Sequence, residues 1–108
     1  MNRYVVITSR ARKDYQAILK WLNALSPRGA ASWSHAFWDA TARISADPDS
    51  FPSADESDRV ARAVKHALFK TRRGRRYRII FEFSRTEVVI LRLRRPGQQP
   101  LRRRDLLA

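Results

Sequence analysis

The sequence contains no cysteine and only two histidines among its 108 residues. Without cysteine the chain can form no disulfide, no thiolate nucleophile and no zinc site built on sulfur ligands. Two histidines are too few to form a structural metal site, so we expect neither a bound metal nor a cofactor. The lack of cysteine agrees with a reducing compartment, and we predict a cytoplasmic protein.

Long apolar runs are also missing from the chain. The longest are the short segments Tyr4–Ile7 and Val88–Leu91, whereas roughly 18–20 apolar residues are needed to cross a bilayer. The N-terminal segment lacks the apolar stretch of a signal peptide. We therefore expect a soluble protein with no membrane partner.

Glycine and proline are few, at 3 and 5 residues, and hydrophobic residues make up 44% of the chain. This composition excludes collagen-like, low-complexity and wholly disordered chains. At roughly 100–200 residues per domain, the length allows one domain. We predict a single domain over residues 1–101, followed by a basic tail over residues 102–108 that we expect to be mobile.

Acidic residues are scarce, with 10 Asp and Glu against 23 Lys and Arg, which gives a net charge of +13. The imbalance is concentrated in the second part of the chain. Residues 1–64 carry 9 basic and 7 acidic side chains, whereas residues 65–108 carry 14 basic and 3 acidic ones. Such an excess favours binding to a polyanion or to an acidic protein. The C-terminal part is therefore predicted to face that partner.

The spacing of apolar residues predicts one strand, a helical hairpin and three further strands. Thr8 and Ser26 are suited to N-cap helices, and Ser26 precedes a proline at the first helical position. The acidic stretch 53–62 has no clear period and is interpreted as a loop or a single helical turn. The predicted elements are strand 3–8, helices 9–25 and 27–46, and strands 64–70, 76–84 and 87–94.

This order predicts an α+β fold in which an antiparallel β-sheet packs against an N-terminal α-helical hairpin. The sheet would consist of the N-terminal strand plus a three-stranded C-terminal meander. Alternation predicts that one side of the sheet meets the helices, with Tyr77, Ile79, Phe81, Phe83, Val89, Leu91 and Leu93. The opposite side would carry Val88 and Ile90 together with four arginines. We call these the arginine face: Arg76, Arg78, Arg92 and Arg94.

Several short fragments occur along the chain, and their order is more specific than any one of them alone. They are Ile7-Thr8-Ser9-Arg10-Ala11, Trp21-Leu22 before Ser26-Pro27, Ala30 to Phe37, Phe51-Pro52, Leu68-Phe69-Lys70-Thr71, Arg76-Tyr77-Arg78-Ile79-Ile80-Phe81 and Val88-Val89-Ile90-Leu91-Arg92. Together with the order of elements, they resemble the RelE/ParE toxins of bacterial type II toxin–antitoxin modules. The resemblance spans residues 3–101 and favours the ParE-like branch, which has the long helical hairpin.

The resemblance implies a growth inhibitor that a cognate antitoxin holds inactive in a toxin–antitoxin hetero-oligomer. ParE-like members inhibit DNA gyrase, whereas RelE-like members act on the ribosome with its mRNA and cleave the mRNA through the 2′-hydroxyl. A gyrase-directed toxin is the favoured interpretation, and a ribosome-dependent mRNA endonuclease is the alternative. A non-toxic basic nucleic-acid-binding module is the third.

The resemblance also implies which residues would act in a nuclease. The family's strand arginine falls at Arg78, where it would stabilise the charge on a phosphorane-like phosphate. The catalytic candidates are then Arg78, Arg92 and His66, and Glu82 is the other group near Arg78 that can move a proton. No histidine or tyrosine follows Tyr77, so the acid–base set usual in the family's nucleases is incomplete.

Basic side chains are the candidates for docking on a target or an antitoxin: Lys70, Arg76, Arg78, Arg92, Arg94 and Arg95. In one branch of the family, lysines on the preceding strand contribute, and here they would fall near Lys65 and Lys70. The turn Thr71–Arg76 could clasp phosphates, because arginine matches their geometry with paired donors, although a charged turn is also usual at a hairpin tip. The alternative to docking is that the arginine face is only the solvated side of a half-buried sheet. Trp21, Trp33 and Trp38 are predicted to pack in the core of the helical hairpin or in a satellite apolar contact, and a partner-binding role is the alternative.

Overall fold

The computed structural model describes residues 2–54, 63–98 and 101–106, and the stretch interpreted above as a loop lies outside these ranges from residue 55 to residue 62. Two long helices cover one side of a four-stranded sheet with strand order β1-β4-β3-β2. The elements are β1 Tyr4–Ile7, α1 Ser9–Leu25, α2 Pro27–Ala46, a 3₁₀ turn Pro48–Ser50, β2 Lys65–Phe69, β3 Tyr77–Phe83, β4 Glu87–Arg94 and α3 Arg103–Leu106. The α+β class is confirmed.

The two helix caps are the residues that local sequence chemistry selects. The Thr8 hydroxyl accepts from the N–H of Ala11, and the Ser26 hydroxyl accepts from the N–H of Gly29. Ser26 serves both helices, because its own backbone N–H donates to the carbonyl of Leu22 at the end of α1. A single residue therefore ends one helix and begins the next, which confirms the predicted hairpin.

The sheet is mixed rather than purely antiparallel, which corrects the predicted sheet. The strands β2, β3 and β4 form the predicted antiparallel meander, but β1 pairs in parallel with β4. The C-terminal end of α2 lies beside the start of β1, since the N–H of Arg3 donates to the carbonyl of Ser45. The hairpin thus returns the chain to the end where β1 began. After the two reversals of the meander, β4 runs in the same direction as β1.

A β-bulge in β4 reverses the predicted sides of part of that strand. Phe81 pairs with Ile90 but Ile80 pairs with Arg92, so that Leu91 has no counterpart in β3. Val88 and Ile90 pack in the core beneath the helices, whereas Val89 and Leu91 belong to a second cluster. The predicted alternation is therefore wrong for residues 88–91 and correct for Leu93. The bulge places two residues of β4 opposite one of β3, so the side chains of β4 return to their predicted sides from Arg92 onward.

Two apolar clusters lie on the two sides of the sheet. The larger one packs the helices, through residues such as Trp33, Phe37 and Ile44, against Ile79 and Phe81. The smaller one brings Leu101 and Leu106 from the C-terminal segment onto Ile80 and Leu91. Both leucines are buried, with 1% and 7% of their surface exposed. Leu101 and Leu106 therefore bring this part of the C-terminal segment against the sheet, and residues 107–108 of the predicted tail lie outside the described residues.

Candidate functional site

The arginine face lies at one end of the sheet, where β2 and β4 end and β3 begins. In the strand register Arg78 lies between Leu68 of β2 and Arg94 of β4. Arg76 comes just before β3 and is exposed, whereas Arg78, Arg92 and Arg94 are each half-buried. The structure thus brings the four predicted arginines to one region, but it gives them different surroundings.

Arg78 contacts the histidine predicted as its possible catalytic partner. The Nε of Arg78 donates to Nδ1 of His66 over 3.1 Å. Their strands are adjacent, with His66 opposite Ile80, so the two side chains meet diagonally on the side of the sheet away from the helices. Because Nδ1 accepts this bond, the neutral imidazole carries its hydrogen on Nε2. Arg78 and His66 therefore form a pair in which a cation lies beside a titratable ring.

Arg92 is held in an ion pair that the sequence did not predict. Its Nε and Nη2 donate to the two carboxylate oxygens of Asp14 over 2.7 and 3.1 Å. Its Nη1 donates to the backbone carbonyl of Asp105 over 3.0 Å. The Arg92 and Asp14 side chains are only 13% and 18% exposed. Arg92 therefore joins β4 to α1 and to the C-terminal segment, a role that keeps its donors inside the fold.

Asp14 also completes the hydrogen bonding at the end of β4. The parallel pairing of β1 ends at Ile7, after which the N–H of Thr8 donates to the carbonyl of Ile90. Beyond that point Asp14 Oδ2 accepts from the N–H of Leu93 over 3.0 Å. A signal for this residue was present in the sequence, because Asp14 is the only acidic residue of α1. Its partner could not be identified, since the contact spans 78 positions along the chain.

The remaining proton-carrying candidate, Glu82, lies further along β3. On the side of the sheet away from the helices, Ile80 lies between Glu82 and Arg78 along β3. Glu82 pairs with Val89 of β4. Its side chain is half-buried and faces the same side of the sheet as Arg78. The structure therefore places His66, and not Glu82, in hydrogen-bonding contact with Arg78.

The two lysines suggested by the resemblance have different positions. Lys65 Nζ donates to the backbone carbonyl of Phe51 over 2.6 Å and so fastens the segment after α2 to β2. Lys70 is exposed at the end of β2. Lys70 is therefore the more exposed of these two lysines.

The turn between β2 and β3 is the most strongly charged part of the described surface. It contains Arg72, Arg73, Arg75 and Arg76, all exposed. The turn is closed by a hydrogen bond from the N–H of Gly74 to the carbonyl of Thr71 over 3.1 Å. Because β4 ends beside the start of β3, Arg95 adds a further exposed charge nearby.

Tyr77 begins β3 at the base of this turn. Burial raises the pKa of the Tyr77 hydroxyl above its ordinary value of 10.0, and the charges of Arg95 and Arg75 oppose part of that shift. The ring packs against Trp33 and Phe69, with centroid distances of 5.6 and 5.7 Å. Tyr77 thus anchors the charged turn to the aromatic core.

The three tryptophans divide between core and surface. Trp33 is buried and packs beside Phe37 and Phe69. Trp21 and Trp38 are 49% and 48% exposed. The Trp38 ring centroid lies 4.9 Å from that of Phe37, so Trp33 is a core residue and Trp38 makes a satellite apolar contact, both of which the prediction allowed. The Arg95 guanidinium lies 6.0 Å from the centroid of the Trp21 ring. Exposed aromatic surface is therefore available on the helices to a protein partner.

No cluster of three or more histidine, aspartate or glutamate side chains suited to a metal ion occurs within 2–54, 63–98 and 101–106. None of the helices in those same ranges has the length and apolar character that a membrane crossing needs.

Comparison with known proteins gives one finding that covers nearly all of the chain. Residues 5–100 match the family model described as the ParE toxin of the type II toxin–antitoxin system parDE. A search of the curated proteins found no match. The region matched includes both helices of the hairpin and all the strands from β2 to β4.

Proposed function

The chain belongs to the ParE toxins of type II toxin–antitoxin systems, and from that membership we propose that it arrests growth by binding DNA gyrase and that a cognate antitoxin neutralises it. The observation that carries the choice of a binding function is the state of Arg92. Its guanidinium donates to both oxygens of Asp14 and to a backbone carbonyl. An arginine with these bonds does not supply charge to a reacting phosphate.

The acid–base requirement of RNA cleavage also favours binding over catalysis. Cleavage through a 2′-hydroxyl needs one group to take a proton and another to give one. His66 is in hydrogen-bonding contact with Arg78, and no histidine or tyrosine follows Tyr77 in the sequence. With Arg92 engaged elsewhere, the predicted nuclease set is reduced to a single pair. We assign docking on gyrase or the antitoxin to the other basic residues of the predicted set, of which Arg78 and Arg94 are half-buried and Lys70, Arg76 and Arg95 are exposed.

The surface also supports a neutralising partner of a particular chemistry. The net charge of +13 favours an acidic protein, and the exposed Trp21 and Trp38 favour one that brings apolar side chains. An antitoxin with both features would cover aromatic surface on the helices and compensate charge at the end of the sheet. Its affinity would then fall as salt rises, because exposed charge pairs are screened.

One observation favours the alternative function, a ribosome-dependent mRNA endonuclease. The contact between Arg78 Nε and His66 Nδ1 brings a phosphate-stabilising cation beside a group that can transfer a proton. In that function Arg78 would leave His66 Nδ1 to bind the scissile phosphate, and the freed Nδ1 would then take a proton as the base. This alternative predicts ribosome-dependent cuts in mRNA that disappear in His66→Ala.

The test compares two assays on the same purified chain. In DNA supercoiling by gyrase, we expect inhibition that added antitoxin reverses. In a purified translation reaction with a defined mRNA, we expect transcript ends mapped by primer extension to remain intact. Codon-phased cuts that require the ribosome, together with unaffected supercoiling, would overturn the gyrase proposal and establish the alternative.

A matched pair of variants separates the docking surface from general charge effects. Arg78→Ala and Arg85→Ala each remove one arginine from β3 or the turn that follows it, and Arg85 lies at the opposite end of the sheet. We expect Arg78→Ala to weaken gyrase inhibition and Arg85→Ala to leave it unchanged. Equal inhibition by both variants would show that Arg78 does not dock on the target.

A further inference from the structure

The turn between β2 and β3 forms a compact positive projection that the proposed docking on gyrase does not by itself explain. We call residues Lys70–Arg76 the basic tip. Five of these seven side chains are cationic and all five are exposed: Lys70, Arg72, Arg73, Arg75 and Arg76. A hydrogen bond from the N–H of Gly74 to the carbonyl of Thr71 closes the turn, so the five cationic residues lie within one short turn of the chain.

The positive charge of the tip is not compensated within the described part of the chain. None of its five cationic side chains forms a salt bridge or a side-chain hydrogen bond to a residue in 2–54, 63–98 or 101–106. An acidic residue near the turn, Asp39, lines the same shallow depression as Arg72 but pairs with His35 over 3.4 Å. The charges of the tip are therefore available to an external anion.

The tip lacks the side chains with which proteins bind one another tightly. Interfaces between proteins depend on aromatic or large apolar anchors at their centre. The basic tip exposes none, because its residues are all basic apart from Thr71 and Gly74. The exposed aromatic residues, Tyr4, Trp21 and Trp38, lie on β1 and the helices instead. A phosphate backbone fits the tip better than an acidic protein does.

The lack of exposed aromatic side chains in the basic tip also favours duplex nucleic acid over a single strand as its partner. Proteins bind single-stranded nucleic acid by stacking bases on aromatic side chains. Tyr77, the aromatic residue next to the tip, is buried in the core. Duplex backbones instead require closely spaced cations, and guanidinium groups bind phosphate oxygens through paired donors.

We propose that the basic tip binds the phosphate backbone of duplex DNA and holds the toxin on the DNA segment that gyrase carries. This inference rests on the proposed function for its choice of DNA. It assigns to Arg72, Arg73 and Arg75 of the tip a contact independent of base sequence. Arg78, together with Lys70 and Arg76 at the base of the tip, contacts the protein partner. The toxin would thus recognise the complex of gyrase with DNA in preference to free gyrase.

The experiment measures the salt dependence of DNA binding by the full chain. Fluorescence anisotropy with a mixed-sequence DNA duplex gives the affinity between 50 and 200 mM salt. The variant R72Q/R73Q/R75Q removes three charges from the tip. The control K13Q/K20Q/R85Q removes three exposed charges from α1 and from the far end of the sheet. Both variants carry the same net charge, so general attraction to DNA falls equally in both.

We expect the tip variant alone to lose the steep salt dependence. Each phosphate contact contributes about 0.9 to the slope of log affinity against log salt, so three lost contacts lower the slope by about 2.7. Over the fourfold change in salt, the wild type would lose about 40-fold more affinity than the tip variant. Equal slopes for the tip variant and the control would overturn the proposal.

Two further probes exclude other partners of the tip. Tighter binding to single-stranded RNA than to the DNA duplex, lost in the tip variant, would overturn the assignment to duplex DNA. A loss of antitoxin affinity in the tip variant, with an unchanged DNA slope, would assign the tip to the antitoxin instead.

Supercoiling by gyrase separates this proposal from the proposed function. A wild-type chain that does not inhibit gyrase but shows tip-dependent DNA binding would overturn the gyrase target and retain the DNA contact. A wild-type chain that inhibits gyrase, with a tip variant whose inhibition and DNA slope are both unchanged, would overturn the DNA contact alone.

Discussion

Asp14 on α1 forms a bidentate ion pair with Arg92 on β4, with Nε and Oδ2 only 2.7 Å apart. The same carboxylate accepts the backbone N–H of Leu93, so one side chain from a helix joins the end of a strand. The guanidinium in turn donates to the carbonyl of Asp105. Arg92 thus connects three separate parts of the chain, and its side chain is only 13% exposed.

Removing the charge of Asp14 should lower the stability of the fold. Asp14→Asn replaces a carboxylate that accepts three hydrogen bonds, and bonds to charged groups contribute about 1.5–3 kcal/mol each. We expect the free energy of unfolding to fall by about 2–3 kcal/mol in urea denaturation. Asp39→Asn is the control, because its pair with His35 is exposed and should contribute less than about 1 kcal/mol. Equal losses in the two variants would contradict the role of Asp14.

The two half-buried arginines Arg78 and Arg92 should differ in what their removal changes. Arg92→Ala leaves Asp14 without its cation, so we expect a loss of about 2–4 kcal/mol in stability. Arg78→Ala should remain folded but lose growth arrest, because we propose that Arg78 docks on the target. Urea denaturation and induced expression, with protein abundance checked by immunoblot, measure the two effects. A stable Arg78→Ala that arrests growth like the wild type would refute the docking role.

The raised pKa of Tyr77 predicts a loss of stability at high pH. The folded state holds the phenol proton more tightly than the unfolded state, whose pKa is near 10.0. Its contribution is therefore fully present below pH 10 and is lost as the pH rises from there through the folded-state pKa. Urea denaturation between pH 9 and 11.5 should show a shallower decline for Tyr77→Phe than for the wild type. Parallel declines would show that Tyr77 does not contribute to this dependence.

The packing of the C-terminal segment can be tested with two leucines. Leu101 is buried in the second cluster, whereas Leu25 at the end of α1 is 68% exposed. Leu101→Ala should cost about 2–3 kcal/mol, since it removes buried methyl groups and leaves a cavity. Leu25→Ala should change the stability by less than about 0.5 kcal/mol. A Leu101→Ala variant as stable as Leu25→Ala would mean that the segment does not pack on the sheet in solution.

Elements specified by nearby residues were predicted closely. Both helices have the predicted bounds, because Thr8 and Ser26 cap them through bonds that reach only three residues along the chain. The strands β2 and β3 are each shorter than predicted by one residue at either end. The arginines of the face are where alternation placed them, since Arg92 and Arg94 lie beyond the bulge.

Features that depend on distant contacts were not predicted. The bulge at Leu91 is invisible in an alternating sequence, because a run of apolar residues is compatible with either phase. Lys70, Arg76 and Arg95 of the predicted docking set are exposed, but nothing near Arg92 in the sequence indicated that Asp14 would bind it. The three tryptophans likewise share one chemistry, and only packing separates the buried Trp33 from the other two.

The sequence by itself determined the helical hairpin, the meander, the membership of the ParE toxins and the concentration of positive charge after residue 64. These follow from helix capping, from the periodicity of apolar residues and from composition, all of which depend on residues close together along the chain. Only the tertiary structure decided that β1 pairs in parallel with β4, that Arg92 forms an ion pair with Asp14 and that the charged side chains of the basic tip are exposed. Each of these depends on which residues meet across the fold, and burial and pairing between distant positions are properties of the packed chain.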